Sequence, residues 1–344
     1  MEESPMVRAP HCSTHTRGAV LLAVVLSLLA VLIAPGAESQ TDQPIATIRK
    51  QAKAGDPQAQ YQLGRAFAQG EEVPQDKAEA VRWYRKAAEQ GHLDAQNKLG
   101  VMYRNGEGVT QDTAEAVRWF RKAAEQGHAD AQNNLGVMYH FGEGVSKDTP
   151  EAVRWYRKAA EQGLAAAQYN LGLMYHFGEG VTQDTPEAVR WYRKAAEQGL
   201  VGAQNNLGLM YHFGEGVAQD TPEAVRWYRK AAEQGDTAAQ VNLGLMYYFG
   251  EGVTQDAAEA VRWYRKAAEQ GHATAQFNLG GMYEMGEGGL LRSGADAADW
   301  YFKAGESFLR AGDRDRALLC VEHIRNLGPI PNSFLADELL KQIY

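Results

Sequence analysis

The 344-residue chain has only two cysteines, Cys12 and Cys320. Cys12 precedes an apolar N-terminal run, so removing that run leaves Cys320 without a partner. No disulfide framework is then available, and packing alone must hold the fold. An excess of positive charge is also missing. Lys plus Arg number 35 against 43 Asp plus Glu, a formal net charge of −8. Nucleic-acid binders gain affinity by neutralising phosphates with cations, so this balance argues against that class. The sequence contains no G-x-S-x-G, S-x-x-K or H-E-x-x-H, and no H-x-E with C-x-x-C, which removes the familiar serine and zinc hydrolase signatures. Glycine-rich G-E-G-V segments occur, but no Lys-Ser or Lys-Thr follows them as a nucleotide-binding loop requires. The chain is therefore expected to hold no cofactor and to be no enzyme.

Long hydrophobic runs are equally scarce. One stretch, A-V-L-L-A-V-V-L-S-L-L-A-V-L-I-A at 19–34, carries no charge. A membrane-spanning helix wants about 20 apolar residues, and this run is shorter, closer to a signal-peptide core. Residues 1–37 are read as a signal peptide, cleaved after Gly36 or Ser39, or as an uncleaved anchor. Glu2 and Glu3 weaken the positive character of the segment before the core, and a start at Met6 removes both. Either reading exports the rest of the chain to the periplasm or outside the cell. Membrane contact is expected only through this segment, if it is retained.

What the chain has in abundance is repetition. Trp83, Trp119, Trp155, Trp191, Trp227 and Trp263 stand 36 residues apart, and Trp300 follows after 37. A second series, A-Q-x-x-L-G, places its glycine at Gly64, Gly100, Gly136, Gly172, Gly208, Gly244 and Gly280. A fixed period of this length indicates stacked supersecondary units. Within one unit, Ala95, Leu99, Met102 and Tyr103 recur at helical spacing. Gly106 suits the left-handed residue that ends a helix. Asp112, three residues before Glu115, reads as a capping box that opens a second helix. Pro150, Pro186 and Pro222 fall in that helix's first turn, where proline is tolerated. Gly100 and its equivalents lie inside the first helix and cost about 1 kcal/mol each against Ala. Close approach of the next helix over small Ala123 and Ala124 is the expected compensation, with Trp119 and Tyr103 as the large core residues.

These features predict an all-α fold: a right-handed α/α superhelical solenoid of about seven 36-residue helix-turn-helix repeats with a C-terminal helical cap. Residues 38–56 form a linker and capping half-repeat, 57–305 the array and 306–344 the C-terminal cap. Residues 48–56 align with 84–92 as a truncated second helix, and the tail from Ala295 reads as three helices. Terminal units of a solenoid must be atypical to stop the stacking.

A-Q-N-N-L-G-V-M-Y at 131–139, G-E-G-V at 142–145, Asp148 and E-A-V-R-W-Y-R-K-A-A-E-Q-G at 151–163 recur in register. This pattern resembles the Sel-1-like repeat (SLR) family, a branch of the tetratricopeptide-like helical repeats. The resemblance implies a scaffold or adaptor that holds a protein or peptide in the concave groove of the array. It also implies an alternative, a β-lactam or cell-wall related hydrolase or binding protein. That branch of the family is rich in disulfides, which this chain lacks.

In a repeat array the varying positions are the candidates for recognition. One such row on the first helix is Asn97, Asn133, Tyr169, Asn205, Val241 and Phe277. The next, seven residues on, contains Arg104, His140, His176, His212, Tyr248 and Glu284. The third holds Asn105, Phe141, Phe177, Phe213, Phe249 and Met285. Aromatic and amphipathic side chains of this kind suit a protein interface. His140, His176 and His212 have no ladder of cysteine or acid beside them, so no metal site is expected. Arg118, Arg121, Lys122 and Glu125 read as a solvated outer face. Cys320 and His323, three apart on one helix, read as a buried thiol beside an unrelated histidine rather than a nucleophile and its base.

Overall fold

The computed structural model of the chain describes residues 44–328 and 332–344. The apolar run at 19–34 and its cleavage sites lie outside the described residues. Among the described residues there are 17 helices, and none is long and apolar enough to cross a membrane.

The described residues form two compact units, 44–198 and 199–344. The first contains α1 (Ile45–Lys53), α2 (Pro57–Gln69), α3 (Lys77–Glu89), α4 (Leu93–Asn105), α5 (Thr113–Glu125), α6 (Ala129–Phe141), α7 (Thr149–Glu161), α8 (Ala165–Phe177) and α9 (Thr185–Glu197). The second contains α10 (Val201–Phe213), α11 (Thr221–Glu233), α12 (Thr237–Phe249), α13 (Ala257–Glu269), α14 (Ala273–Met285), α15 (Gly294–Arg310), α16 (Arg314–Asn326) and α17 (Asn332–Ile343). From α2 onward the helices pair into seven hairpins. Within each unit every helix packs on the one before and the one after, so the chain is an all-α solenoid.

The local chemistry of each hairpin follows from its sequence. Gly106 closes α4 at φ +70°, and its N–H donates to the Met102 carbonyl. Asp112 then caps α5 by accepting the Glu115 N–H at 2.9 Å. Only half of the expected capping box forms. The Asp112 N–H donates instead to the Tyr103 carbonyl at 2.9 Å, which fixes the loop to the helix it leaves. Glu115 turns outward to Arg118.

The mid-helix glycines are explained by a ring rather than by close backbone approach. A Cβ added at Gly100 would lie 2.6–2.7 Å from two ring carbons of Phe120, and one at Gly136 would lie 2.7 Å from two of Tyr156. The residue after each tryptophan is thus a deeply buried ring of its hairpin, with Tyr156 only 1% exposed. Trp119 is buried as expected, packed on Ala80, Val81, Leu99 and Met102. Tyr103 packs against the core from its edge rather than within it. It is half-buried, and its hydroxyl accepts from Arg85 at 2.5 Å.

Glycine has a second role in the loops. Gly144, at φ +67°, lies where a Cβ would stand 2.2 Å from the Thr113 carbonyl oxygen of the preceding hairpin. No side chain fits there. The first hairpin has Glu72 at this position, also left-handed at φ +56°. It has no complete hairpin before it, and the Glu72 carboxylate instead accepts from the N–H of Ile45 at the start of α1. The odd residue of the first repeat is therefore a consequence of its terminal place.

The ends stop the stack as separate structures. In α1, the Ala52 carbonyl accepts from Gln60 Nε2 at 3.2 Å, as the Ala88 carbonyl of α3 accepts from Gln96 at 3.0 Å. α1 thus substitutes for a missing second helix. At the other end, α15, α16 and α17 share a core of Phe308, Cys320, Ile324 and Leu339.

Candidate partner-binding surface

Hydrogen bonds between hairpins decide which of the varying positions are available to a partner. The best-hidden chain of them runs through glutamine. Gln96 is buried, donates to the Ala88 carbonyl, and accepts from Gln126 Nε2 at 3.3 Å. The same pairing joins Gln162 to Gln132 at 2.7 Å and Gln234 to Gln204 at 2.8 Å. It ends at Gln276, whose Oε1 is buried and accepts no hydrogen bond. Ser307 occupies the place where the earlier hairpins supply a glutamine.

The first row of varying residues lies in the packing between hairpins. Asn97 Oδ1 accepts from Asn134 Nδ2 at 2.9 Å, Asn133 from Asn170 at 2.9 Å, and Asn205 from Asn242 at 3.2 Å. Asn97 is 8% exposed. Tyr169 is buried with its ring 5.9 Å from that of Tyr192. Phe277 is 1% exposed, against Tyr301 and His323. The expectation that this row faces a partner is corrected for Asn97, Tyr169 and Phe277. Two turns nearer the helix start than the second row, Asn97 meets Asn134 of the following hairpin, while Tyr169 and Phe277 pack on the second helix of their own hairpins.

The second row clamps the loops. Arg104 donates through Nε and an NH2 to both carboxylate oxygens of Glu143, at 2.8 and 3.2 Å. His140 Nε2 lies 3.1 Å from Glu179, and His212 Nε2 lies 3.1 Å from Glu251. Each acid belongs to the G-E-G-V loop 39 residues on. His140 and His176 are buried, while His212 retains some exposure. Burial holds His140 below the ordinary histidine range despite the neighbouring Glu179 carboxylate. At neutral pH the ring is therefore a neutral donor through Nε2. Each glutamate stands 39 residues after its Arg or His, an offset that becomes a contact only when one hairpin stacks on the next.

The third row keeps more of its surface. Phe141, Phe177, Phe213 and Phe249 are all half-buried at the last turn of their helices. Each leans on the ring before it. His140 and Phe141 stack at 4.5 Å, His212 and Phe213 at 4.4 Å, and Phe177 meets the edge of His176 at 4.5 Å. Tyr248 and Phe249 meet edge to face at 5.0 Å. Neighbouring rings hold these phenylalanines in place, and part of each ring remains in solvent.

The second helices are less bare than expected. Arg118 is solvated, but Arg121 donates to the Tyr139 hydroxyl of the next hairpin at 2.9 Å. Lys122 lies 4.1 Å over the Trp119 ring, and the same contact recurs at Lys158 over Trp155 and Lys194 over Trp191. Among the described residues no cluster of histidine, cysteine and acid is placed to hold a metal ion. Cys320 is buried, and burial pushes its thiol up to about 12, far from a nucleophile's range. His323 packs on Tyr301 and lies 3.5 Å from Glu284.

The Sel1 repeat model matches seven consecutive segments, 57–92, 93–128, 129–164, 165–200, 201–236, 237–272 and 273–307. No curated protein matches the chain. Among solved structures, the chain is similar to c5321, a protective antigen present in uropathogenic Escherichia coli strains that displays an SLR fold. The two are 38% identical with a TM-score of 0.64, over 88% of this chain and 72% of that one. It is also similar to a Sel1 repeat protein from Oxalobacter formigenes, at 37% identity and a TM-score of 0.63, over 71% of this chain and 96% of that one. Repeats of this kind mediate protein–protein interaction. Seven consecutive repeats, each with its own cap and glycine turn and the first six with a buried tryptophan, place the chain in the Sel1 repeat family.

Proposed function

We propose that the protein is an exported, non-enzymatic scaffold of the bacterial envelope or exterior, which holds a protein or peptide partner along the concave face of its array. The observation that carries this reading is the row of half-buried phenylalanines at the ends of the first helices, Phe141, Phe177, Phe213 and Phe249. Aromatic rings that keep solvent exposure on a preorganised frame are the usual anchors of protein interfaces. Half-exposed His212 and Tyr248 flank the same row. Export rests on the apolar run at 19–34 and agrees with a relative described as a protective antigen.

In-cell crosslinking with mass spectrometry tests the reading, comparing the native chain with a variant carrying Phe141→Ala, Phe177→Ala and Phe213→Ala. The expected result is loss of a discrete set of crosslinked proteins with folding preserved by circular dichroism. An unchanged partner set removes these residues from the interface. The rival reading, a β-lactam or cell-wall hydrolase, predicts nitrocefin turnover above buffer by the purified chain, and such turnover ends the non-enzymatic account.

A further inference from the structure

The acid of the G-E-G-V loop is held by a donor from an earlier hairpin in four places. Lys77 reaches Glu107 at 2.8 Å, Arg104 reaches Glu143, His140 reaches Glu179 and His212 reaches Glu251. Glu287, in the last such loop, has neither kind of donor. The residue 39 before it is Tyr248, where Arg or His stands in the other clamps. The residue 30 before it is Ala257, where Lys77 stands relative to Glu107. Glu287 Oε2 is buried and accepts no hydrogen bond.

Both replacements border one cleft of about 340 Å³ in the second unit, lined by Tyr248, Phe249, Gln255, Ala257, Glu287 and Gly288. Its size is within the range of small-ligand sites. Gln255 is committed, since its Nε2 donates to the Tyr248 carbonyl at 2.8 Å. The cleft thus offers a carboxylate oxygen without a donor, two aromatic rings and no positive charge. A buried carboxylate oxygen without a donor is costly, and a cation beside aromatic faces is favoured both by the charge and by the rings.

We propose that this cleft receives the side chain of an arginine or lysine from a polypeptide partner, whose charged head meets Glu287 and whose stem lies along Tyr248 and Phe249. The proposal deepens the scaffold reading and rests on it for the polypeptide source, but the cation preference stands on the cleft itself. The ammonium or guanidinium replaces the donor that Arg104, His140 and His212 supply in the other hairpins.

Saturation-transfer NMR on the full chain tests it, with butylguanidinium and butylammonium as free probes and an acetylated Gly-Gly-Arg-Gly-Gly amide beside its citrulline counterpart. Binding of both cations and of the arginine peptide is expected, with binding of the citrulline peptide about tenfold weaker, the loss of one charged contact. Glu287→Gln should weaken all cationic probes by about tenfold. Tyr248→Arg should abolish binding while raising the unfolding midpoint, because it supplies the internal clamp seen at Arg104. Glu179→Gln should leave binding unchanged. Equal binding to native and Glu287→Gln chains overturns the proposal, as does undiminished binding in Tyr248→Arg. Free cations bound through Glu287 with the arginine peptide excluded overturn the polypeptide source alone. Loss of all crosslinked partners in the phenylalanine variant, with the cations still bound, separates the cleft from the scaffold reading.

Discussion

Replacing Gly136 by Ala should destabilise the array, although the same change in an ordinary helix interior stabilises by about 1 kcal/mol. The added methyl would lie 2.7 Å from Cδ1 and Cε1 of Tyr156, and 3.3 Å from the Ala152 carbonyl oxygen. Ordinary contact begins near 3.4 Å, so the ring must withdraw by roughly 0.7 Å from a site where it is packed on all sides. Overpacking of this kind costs about 1–3 kcal/mol. Set against the propensity gain, the net loss is expected to be about 0–2 kcal/mol. The contrast lies in the double variant. Tyr156→Leu alone leaves a cavity and should cost about 2–4 kcal/mol. In that background Gly136→Ala should become neutral or stabilising, giving a coupling energy of about 1–3 kcal/mol. Urea unfolding followed by circular dichroism on the four chains measures the cycle. A stabilised Gly136→Ala in the native background, or the same effect in both backgrounds, refutes the ring-on-glycine account.

Four further outcomes follow from named contacts. Gly144→Ala should cost about 3 kcal/mol or prevent folding of its hairpin, since its Cβ meets the backbone of Thr113 at φ +67°. Glu72→Gly at the equivalent first-repeat position should change the urea midpoint by less than about 1 kcal/mol in either direction. Burial holds His272 down to about 4, and its Nδ1 caps α14 by accepting the Ala275 N–H. Because the folded value is below the unfolded 6.5, stability is full above pH 6.5 and is lost as the pH falls toward 4. By pH 5 the loss from this one group should be about 2 kcal/mol, and His272→Asn, which caps without titrating, should remove that part of the acid sensitivity in paired urea titrations. Glu143→Gln should cost about 1 kcal/mol, read as a shift in urea midpoint, because the bidentate pair with Arg104 is only partly buried. A midpoint unmoved by that change leaves the loop clamp without energetic weight.

The sequence carried most of the hairpin but little of the stacking. Caps and turns were legible because their chemistry is local: Asp112 to Glu115, Gly106 after α4, Pro150 in a first turn. The ring over Gly100 was not, because Trp119 and Phe120 are adjacent and periodicity alone cannot say which of two neighbouring aromatics points into the glycine. The clamps were hidden for a different reason. Arg104 and Glu143, or His140 and Glu179, lie 39 residues apart, and only the stacking of one hairpin on the next shows that they meet. The same gap explains why Asn97 and Tyr169 looked available for recognition. Their helix face is polar or amphipathic in sequence, yet Asn97 is tied to Asn134 of the following hairpin and Tyr169 packs on Tyr192 of its own. Glu72 is the converse, a departure from the repeat that makes sense once α1 is seen in front of it.

The central claim is that partners meet the last turns of the first helices, and a photoreactive benzoylphenylalanine placed singly at position 141, 177 or 154 tests it most directly. Irradiation in cells should join a discrete protein to the chain from positions 141 and 177, and none from position 154, where Arg154 sits on the solvated side of its second helix. Equal capture from position 154, or none from 141 and 177 in the presence of capture elsewhere on the array, would contradict it.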